Sequence, residues 1–217
     1  SKLQQRLLFV AVFCGGMTTL AVEFTASRLL GSIFGTSNIV WANIIGLILI
    51  YLSVGYFIGG RWADRSPHYT TFYKLLIWAA FLSGLIPLVA HPVLQAAASA
   101  VQDLDAAVTV GSFISILVLF SVPITLLGCI SPFSIRLAIS DVESAGGVSG
   151  RMYAISTMGS IIGTFTPVLF LIPEVGTTRT FLIFAGALFL TGMIGLGVQD
   201  RRAPLRFLWM PVVLVVM

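Results

Sequence analysis

Long apolar runs broken by short polar clusters set the pattern of this chain. Six runs, at roughly 7–33, 38–60, 72–94, 107–131, 152–173 and 179–198, are each long enough as a helix to cross about 30 Å of hydrocarbon. A last run, 207–217, is too short to cross and reads as the start of a seventh helix. The expected fold is an all-α integral membrane protein, a bundle of six transmembrane helices plus the start of a seventh. One polytopic domain then fills 1–217, and the interrupted seventh run suggests a fragment of a larger protein.

Composition agrees with this pattern. Hydrophobic residues make up 58% and charged residues only 9% of the 217, against about 25% charged in soluble domains. Mean hydropathy is +1.03. The net charge of +4 gives no nucleic-acid signal, because the bases form no dense patch and fall between the apolar runs. Cys14 and Cys129 both lie in apolar segments and suit buried thiols better than a disulfide framework. The first run is too long for a cleaved signal peptide.

Those bases orient the spans. If the N-terminus is cytoplasmic, Lys2, Arg6, Arg61, Arg65, Lys74, Arg136, Arg151, Arg201, Arg202 and Arg206 share its side, and only Arg28 and Arg179 fall opposite. Such asymmetry predicts a multi-pass protein of the cell inner membrane, N-terminus in, with 95–106 as an outer loop carrying Asp103 and Asp105.

Within the runs, three G-x-x-x-G pairs, Gly31/Gly35, Gly55/Gly59 and Gly159/Gly163, predict close helix approach. The near-repeat of "GSIFGT" (31–36) and "GSIIGT" (159–164) reads as coincidence. In "GGRWADRS" (59–66), Arg61 and Arg65 suit a helix C-terminus, Asp64 can join them in a charge network, and Pro67 ends the turn. Pro132, in "LLGCISPFSIRLA" (126–138), should kink or end its helix, and Pro123 adds a second break; a plain kink is the favoured reading, with freed carbonyls near Leu127 and Gly128 lining a cavity as the alternative. "AGGVSGR" (145–151) follows no strand and lacks a phosphate-loop spacing, so a flexible loop is expected. His68 and His91 are the only histidines, which leaves no metal or haem set and no readable catalytic residues.

Glu23 and Arg28 are the polar anomaly of the first run. Five helical positions leave them roughly 140° apart, too far for direct pairing. Counting from Leu7, Glu23 lies roughly 24 Å into the hydrocarbon and Arg28 near its outer edge, where a long stem can snorkel. Glu23 is too short for that and should face the bundle interior. The candidate polar pocket is therefore Glu23, Ser27, Arg28 and Arg179. A structural ion pair with Arg179 and a bound cation such as an amine are both open for the carboxylate.

Four stretches in register carry a resemblance: "EFTASRLLGSIFGTSNIVWANIIG" (23–46), "LSVGYFIGGRWADR" (52–65), "CISPFSIRLA" (129–138) and "GRMYAISTMGSIIGTFTPVLFLIPEVGTTRTF" (150–181). Together they resemble the membrane half of the prokaryotic membrane-bound, fused major-facilitator-like spermidine synthase-like proteins. Gly60, Asp64 and Arg65 also match the G-x-x-x-D-R core of the loop between helices two and three of major-facilitator transporters, without its basic tail. The resemblance implies a soluble aminopropyltransferase-like domain after residue 217, which alone would use decarboxylated S-adenosylmethionine. No residue here can be assigned to that chemistry, so this chain is expected to lack transferase activity by itself. The implied role is a membrane-embedded domain that anchors such a protein and binds or passes a polyamine. A facilitator-like transport module is the alternative, as is a non-enzymatic helical subunit packed with other membrane subunits or with itself.

Overall fold

The computed structural model describes residues 2–139 and 142–216. Its helices are α1 (Lys2–Phe34), α2 (Asn38–Arg65), α3 (Tyr69–Ala100), α4 (Ala107–Ala138), α5 (Ala145–Thr166), α6 (Ile172–Gln199) and the short α7 (Trp209–Val216). The described residues contain no strand. Among the described residues, five helical stretches are long and apolar enough to cross a bilayer; the last, Ala145–Gln199, takes in α5 and α6, which meet through a π-helical turn, Pro167–Leu171, and it is broken at Gly176. The protein is a membrane helical bundle.

Glycine sets two of the chain reversals. Gly35 (φ 76°) ends α1, and Ser37 then caps α2 by accepting from the Val40 N–H at 3.4 Å. Gly176 (φ 83°, ψ 171°) interrupts α6 near its start. The chain turns back there, because α5 lies parallel to α1 while the rest of α6 runs antiparallel to it. Gly159 and Gly163 follow Phe13 and Met17 in the same direction, whereas Gln199 bonds Gln4 at 3.4 Å and Thr18 donates to the Phe184 carbonyl.

Several helices outrun their apolar segments. α3 continues through the alanine-rich "LQAAASA" to Ala100, so the expected loop at 95–106 shrinks to 101–106. Alanine carries the highest helix propensity, which explains the extension. "AGGVSGR" forms the opening turns of α5 instead of a flexible loop, and the helix it opens is anchored next by the buried Met152. Nor does Pro132 end α4, which runs on to Ala138.

Glycines bring two helix pairs into backbone contact. On α5, an added Cβ at Gly159 or Gly163 would strike the carbonyl of Phe13 or Met17. On α2, one at Gly55 would strike the Thr125 carbonyl, and one at Gly59 would lie 2.6 Å from the Cys129 Cα. The third motif does not do this: a Cβ at Gly31 would meet only the Thr36 methyl at 3.2 Å, and Gly35 faces open space. Its glycines serve the end of α1.

These contacts obey one exchange. Moving α2 to α5 by 104 residues (55 to 159, 59 to 163) and α1 to α4 by 112 (13 to 125, 17 to 129) turns one set of contacts into the other. Gly16 against Ser156 becomes Gly128 against Leu52 under the same shifts. A shift of 108 between α3 and α6 likewise exchanges Gly84–Ala185 with Ile77–Gly192. α1 is antiparallel to α4, with Gly15 on Ile130 and Gly111 on Phe34. Helices α1–α3 and α4–α6 are therefore an inverted repeat.

The core is aromatic at one end, where Phe72, Tyr73 and Phe133 are fully buried. At that same end the helix termini gather the basic residues. Gln4 reaches Gln199, Phe72 packs on Phe133 with ring centroids 5.8 Å apart, and Arg136 pairs with Asp64 at 3.1 Å. Ten of the twelve Lys and Arg residues thus sit at one end of the bundle, and Arg28 and Arg179 lie toward the other. Apolar side chains such as Phe57, Ile58, Phe165 and Phe170 point outward, as a lipid-solvated surface requires.

Candidate functional site: a polar cleft between the two repeats

The two glycine-packed pairs, α1 with α5 and α2 with α4, flank a narrow cleft. Large side chains cannot enter at their contacts, and the space between the pairs mixes glycines and hydroxyl residues with larger side chains such as Leu20, Leu52, Tyr56 and Ile130. A cavity of about 100 Å³ remains, lined by Gly15, Gly16 and Thr19 of α1, Leu52 and Tyr56 of α2, Gly128 and Ser131 of α4, and Ser156 and Ser160 of α5, among others. The repeat shifts carry Gly16 to Gly128, Thr19 to Ser131, Leu52 to Ser156 and Tyr56 to Ser160. The cavity therefore straddles the pseudo-twofold axis. Counting from Leu7, Gly16 lies about 14 Å into a 30 Å hydrocarbon layer, near its centre.

The polar atoms here are backbone carbonyls and side-chain hydroxyls. Thr19 donates its hydroxyl proton to the Gly15 carbonyl at 2.8 Å, and Ser160 donates to the Gly16 carbonyl at 3.2 Å. With donors spent on backbone, their lone pairs remain. Pro132 has no N–H, so the Gly128 carbonyl four residues earlier loses its helical donor. Leu127 and Gly128 both line the cavity. The hydroxyls of Ser131, Ser156 and Tyr56 make no hydrogen bond among the described residues, so they can turn to suit a ligand.

The residues picked from sequence separate into three places. Glu23 follows Thr19 by four positions, so it stands one turn beyond the cavity wall on the same side of α1, without lining the cavity. It is partly buried and makes no hydrogen bond or ion pair among the described residues. Ser27 and Arg28 line a second hollow of about 310 Å³ with Phe24, Thr36, Trp41 and Val168. There Ser27 donates to the Phe24 carbonyl at 2.7 Å. Arg179 is exposed early in α6 and does not pair with Glu23. No single pocket holds all four.

Gly60, Arg61, Asp64 and Arg65 close α2. Asp64 does not bind its helix neighbours; its partner is Arg136 of α4, the one ion pair among the described residues. Sequence reasoning missed Arg136 as a partner, and it missed Thr19, Tyr56, Ser131, Ser156 and Ser160 as a group. No set of His, Cys, Asp and Glu able to hold a metal occurs among the described residues.

No family model, curated protein or solved structure matches the chain. Function must therefore be argued from the cleft.

Proposed function

We propose that this chain is the facilitator-like membrane domain of a spermidine synthase-like protein, and that its cleft binds or passes a small organic amine. The observation that carries the reading is an acceptor-lined cavity on the axis of an inverted repeat. Such an axis is where secondary transporters of this construction hold their substrates. Carbonyl and hydroxyl acceptors, with an unpaired carboxylate one turn away, suit an ammonium group and repel an anion. Six spans alternate in direction, and Gly176 makes the last reversal. The ten basic residues at one end of the bundle support a cytoplasmic N-terminus and, with it, a location in the inner membrane. The resemblance to the spermidine synthase-like family narrows the amine to a polyamine such as putrescine. The fold by itself supports the transport reading as well, since an anchor needs no polar cleft.

Thermal unfolding of the detergent-purified protein with putrescine tests this. At a hundredfold excess over Kd, a ligand specific for the folded state adds about 2.7 kcal/mol. For a chain of this length that raises Tm by about 5–11 °C. Glu23→Gln and Ser131→Ala should each reduce the rise, with little effect on Tm in the absence of amine. An equal rise in both variants, or none in the wild type up to millimolar amine, removes the assignment.

A further inference from the structure

A third cavity has the opposite polarity to the cleft. Helices α2 and α3 are consecutive, yet each packs on α4 far more than on the other. The gap between them is a hollow of about 420 Å³, floored by Leu126 of α4 and walled by Trp62 of α2 and by Thr71, Lys74, Leu75 and Trp78 of α3. It lies at the basic end of the bundle, where Trp62 shares the last turns of α2 with Arg61 and Arg65.

Its polar groups are mainly donors. Lys74 is exposed and has no ion-pair partner among the described residues. Trp62 and Trp78 are 38% and 42% exposed, and their indole N–H groups are unengaged among the described residues. Asp64, on the last turn of α2, is already held by Arg136. Leu75, Leu126 and the two indole rings make the rest of the wall apolar. Trp78 lies about 6 Å deeper along α3 than Lys74, one helical turn. A charged donor above an apolar wall suits a phosphodiester joined to acyl chains.

We infer that the hollow between α2 and α3 is a binding site for an anionic phospholipid. Its phosphate is held by Lys74 and the Trp62 indole, and the first acyl methylenes run along Trp78 and Leu126. This does not rest on the amine reading, since the two cavities share no lining residue.

The test uses the whole chain in phosphatidylcholine nanodiscs doped with an equal mole fraction of chain-brominated phosphatidylglycerol or chain-brominated phosphatidylcholine, read by tryptophan fluorescence. Brominated phosphatidylglycerol should quench more strongly. Lys74→Gln should lower that preference about fivefold, the weight of one lysine at an anionic surface. Lys74 is exposed, so the variant should fold, and its unchanged Tm verifies that. Lys2→Gln removes a charge from the same end outside the hollow and should leave the preference intact. Trp62→Phe with Trp78→Phe should weaken the phosphatidylglycerol-specific quenching and leave it to Trp209, whose ring centroid lies 6.4 Å from that of Trp78. Equal quenching by the two lipids overturns the site. So does an unchanged preference in Lys74→Gln, or an equal loss in Lys2→Gln, which would indicate only a diffuse attraction to the basic end.

Discussion

Replacing Gly163 with alanine adds one methyl group where α5 lies against α1. That methyl would collide with the Met17 carbonyl oxygen and sit 2.8 Å from its carbon and 2.9 Å from its Cα. All three are backbone atoms, so no rotamer change relieves the contact. The helices must part by about an ångström, which forfeits up to half of the dispersion attraction at the seam. Overpacking of this kind costs about 3 kcal/mol, the upper end of the usual range. Alanine returns about 1 kcal/mol through helix propensity, leaving a net loss of about 2 kcal/mol. For a chain of this length, Tm should fall by about 4–8 °C. Gly186→Ala is the control. No atom lies within 4 Å of its added methyl, so Tm should hold or rise by a few degrees. Cys129 is buried and Cys14 half-buried, so a thiol-reactive dye that fluoresces on unfolding reports both variants without an added probe. Gly59→Ala, the repeat counterpart of Gly163, should lose a similar amount. A Gly163→Ala protein as stable as Gly186→Ala would refute the backbone contact and the inverted repeat built on it.

Asp64→Asn breaks an ion pair whose side chains are 71% and 48% exposed, so Tm should move by no more than about 4 °C and the difference should vanish in high salt; a larger loss would mean that the α2–α4 end carries a structural load the geometry does not show. Single cysteines placed at His68 and Gly146 should resist an impermeant thiol reagent added to intact cells, while one at Gln102 should react. All three positions are exposed, so ready labelling of the first two from outside would reverse the proposed orientation.

The apolar runs located the helices, because hydrocarbon thickness imposes a minimum length that sequence displays directly. They did not locate the ends. "LQAAASA" and "AGGVSGR" lie beyond the apolar limit, where propensity and packing decide, and both proved helical. Pro132 was informative at the site because its effect is local: the lost N–H frees the carbonyl of Gly128 whatever surrounds it. The inverted repeat was hidden. "LSVGYFIGG" (52–60) and "STMGSIIGT" (156–164) share little beyond their glycines and one isoleucine, because close approach constrains only the glycines while lipid accepts any apolar residue between them. A more visible likeness, "GSIFGT" with "GSIIGT", joins a helix end to a helix contact and has no structural counterpart. Asp64 and Arg136 stand 72 positions apart, and only the parallel packing of α2 on α4 brings them together.

The polar cleft follows from the same packing that stabilises the bundle. A glycine seam holds two backbones at a distance no side chain can share, so each tight pair behaves as one thick element. Two thick elements leave a gap that their seam residues are too small to fill. In hydrocarbon, an unfilled gap lined by alkyl groups would simply lose dispersion contacts. One lined by serine, threonine and a proline-freed carbonyl offers acceptors instead. Thr19 and Ser160 satisfy their own donors on the backbone within the seam, so their lone pairs persist without a buried, unpaired proton. The unengaged hydroxyls of Ser131, Ser156 and Tyr56 can turn their own lone pairs toward a cation as well. Glu23, one turn outward and without a protein partner among the described residues, adds the charge that would draw an ammonium group along α1 toward the cleft.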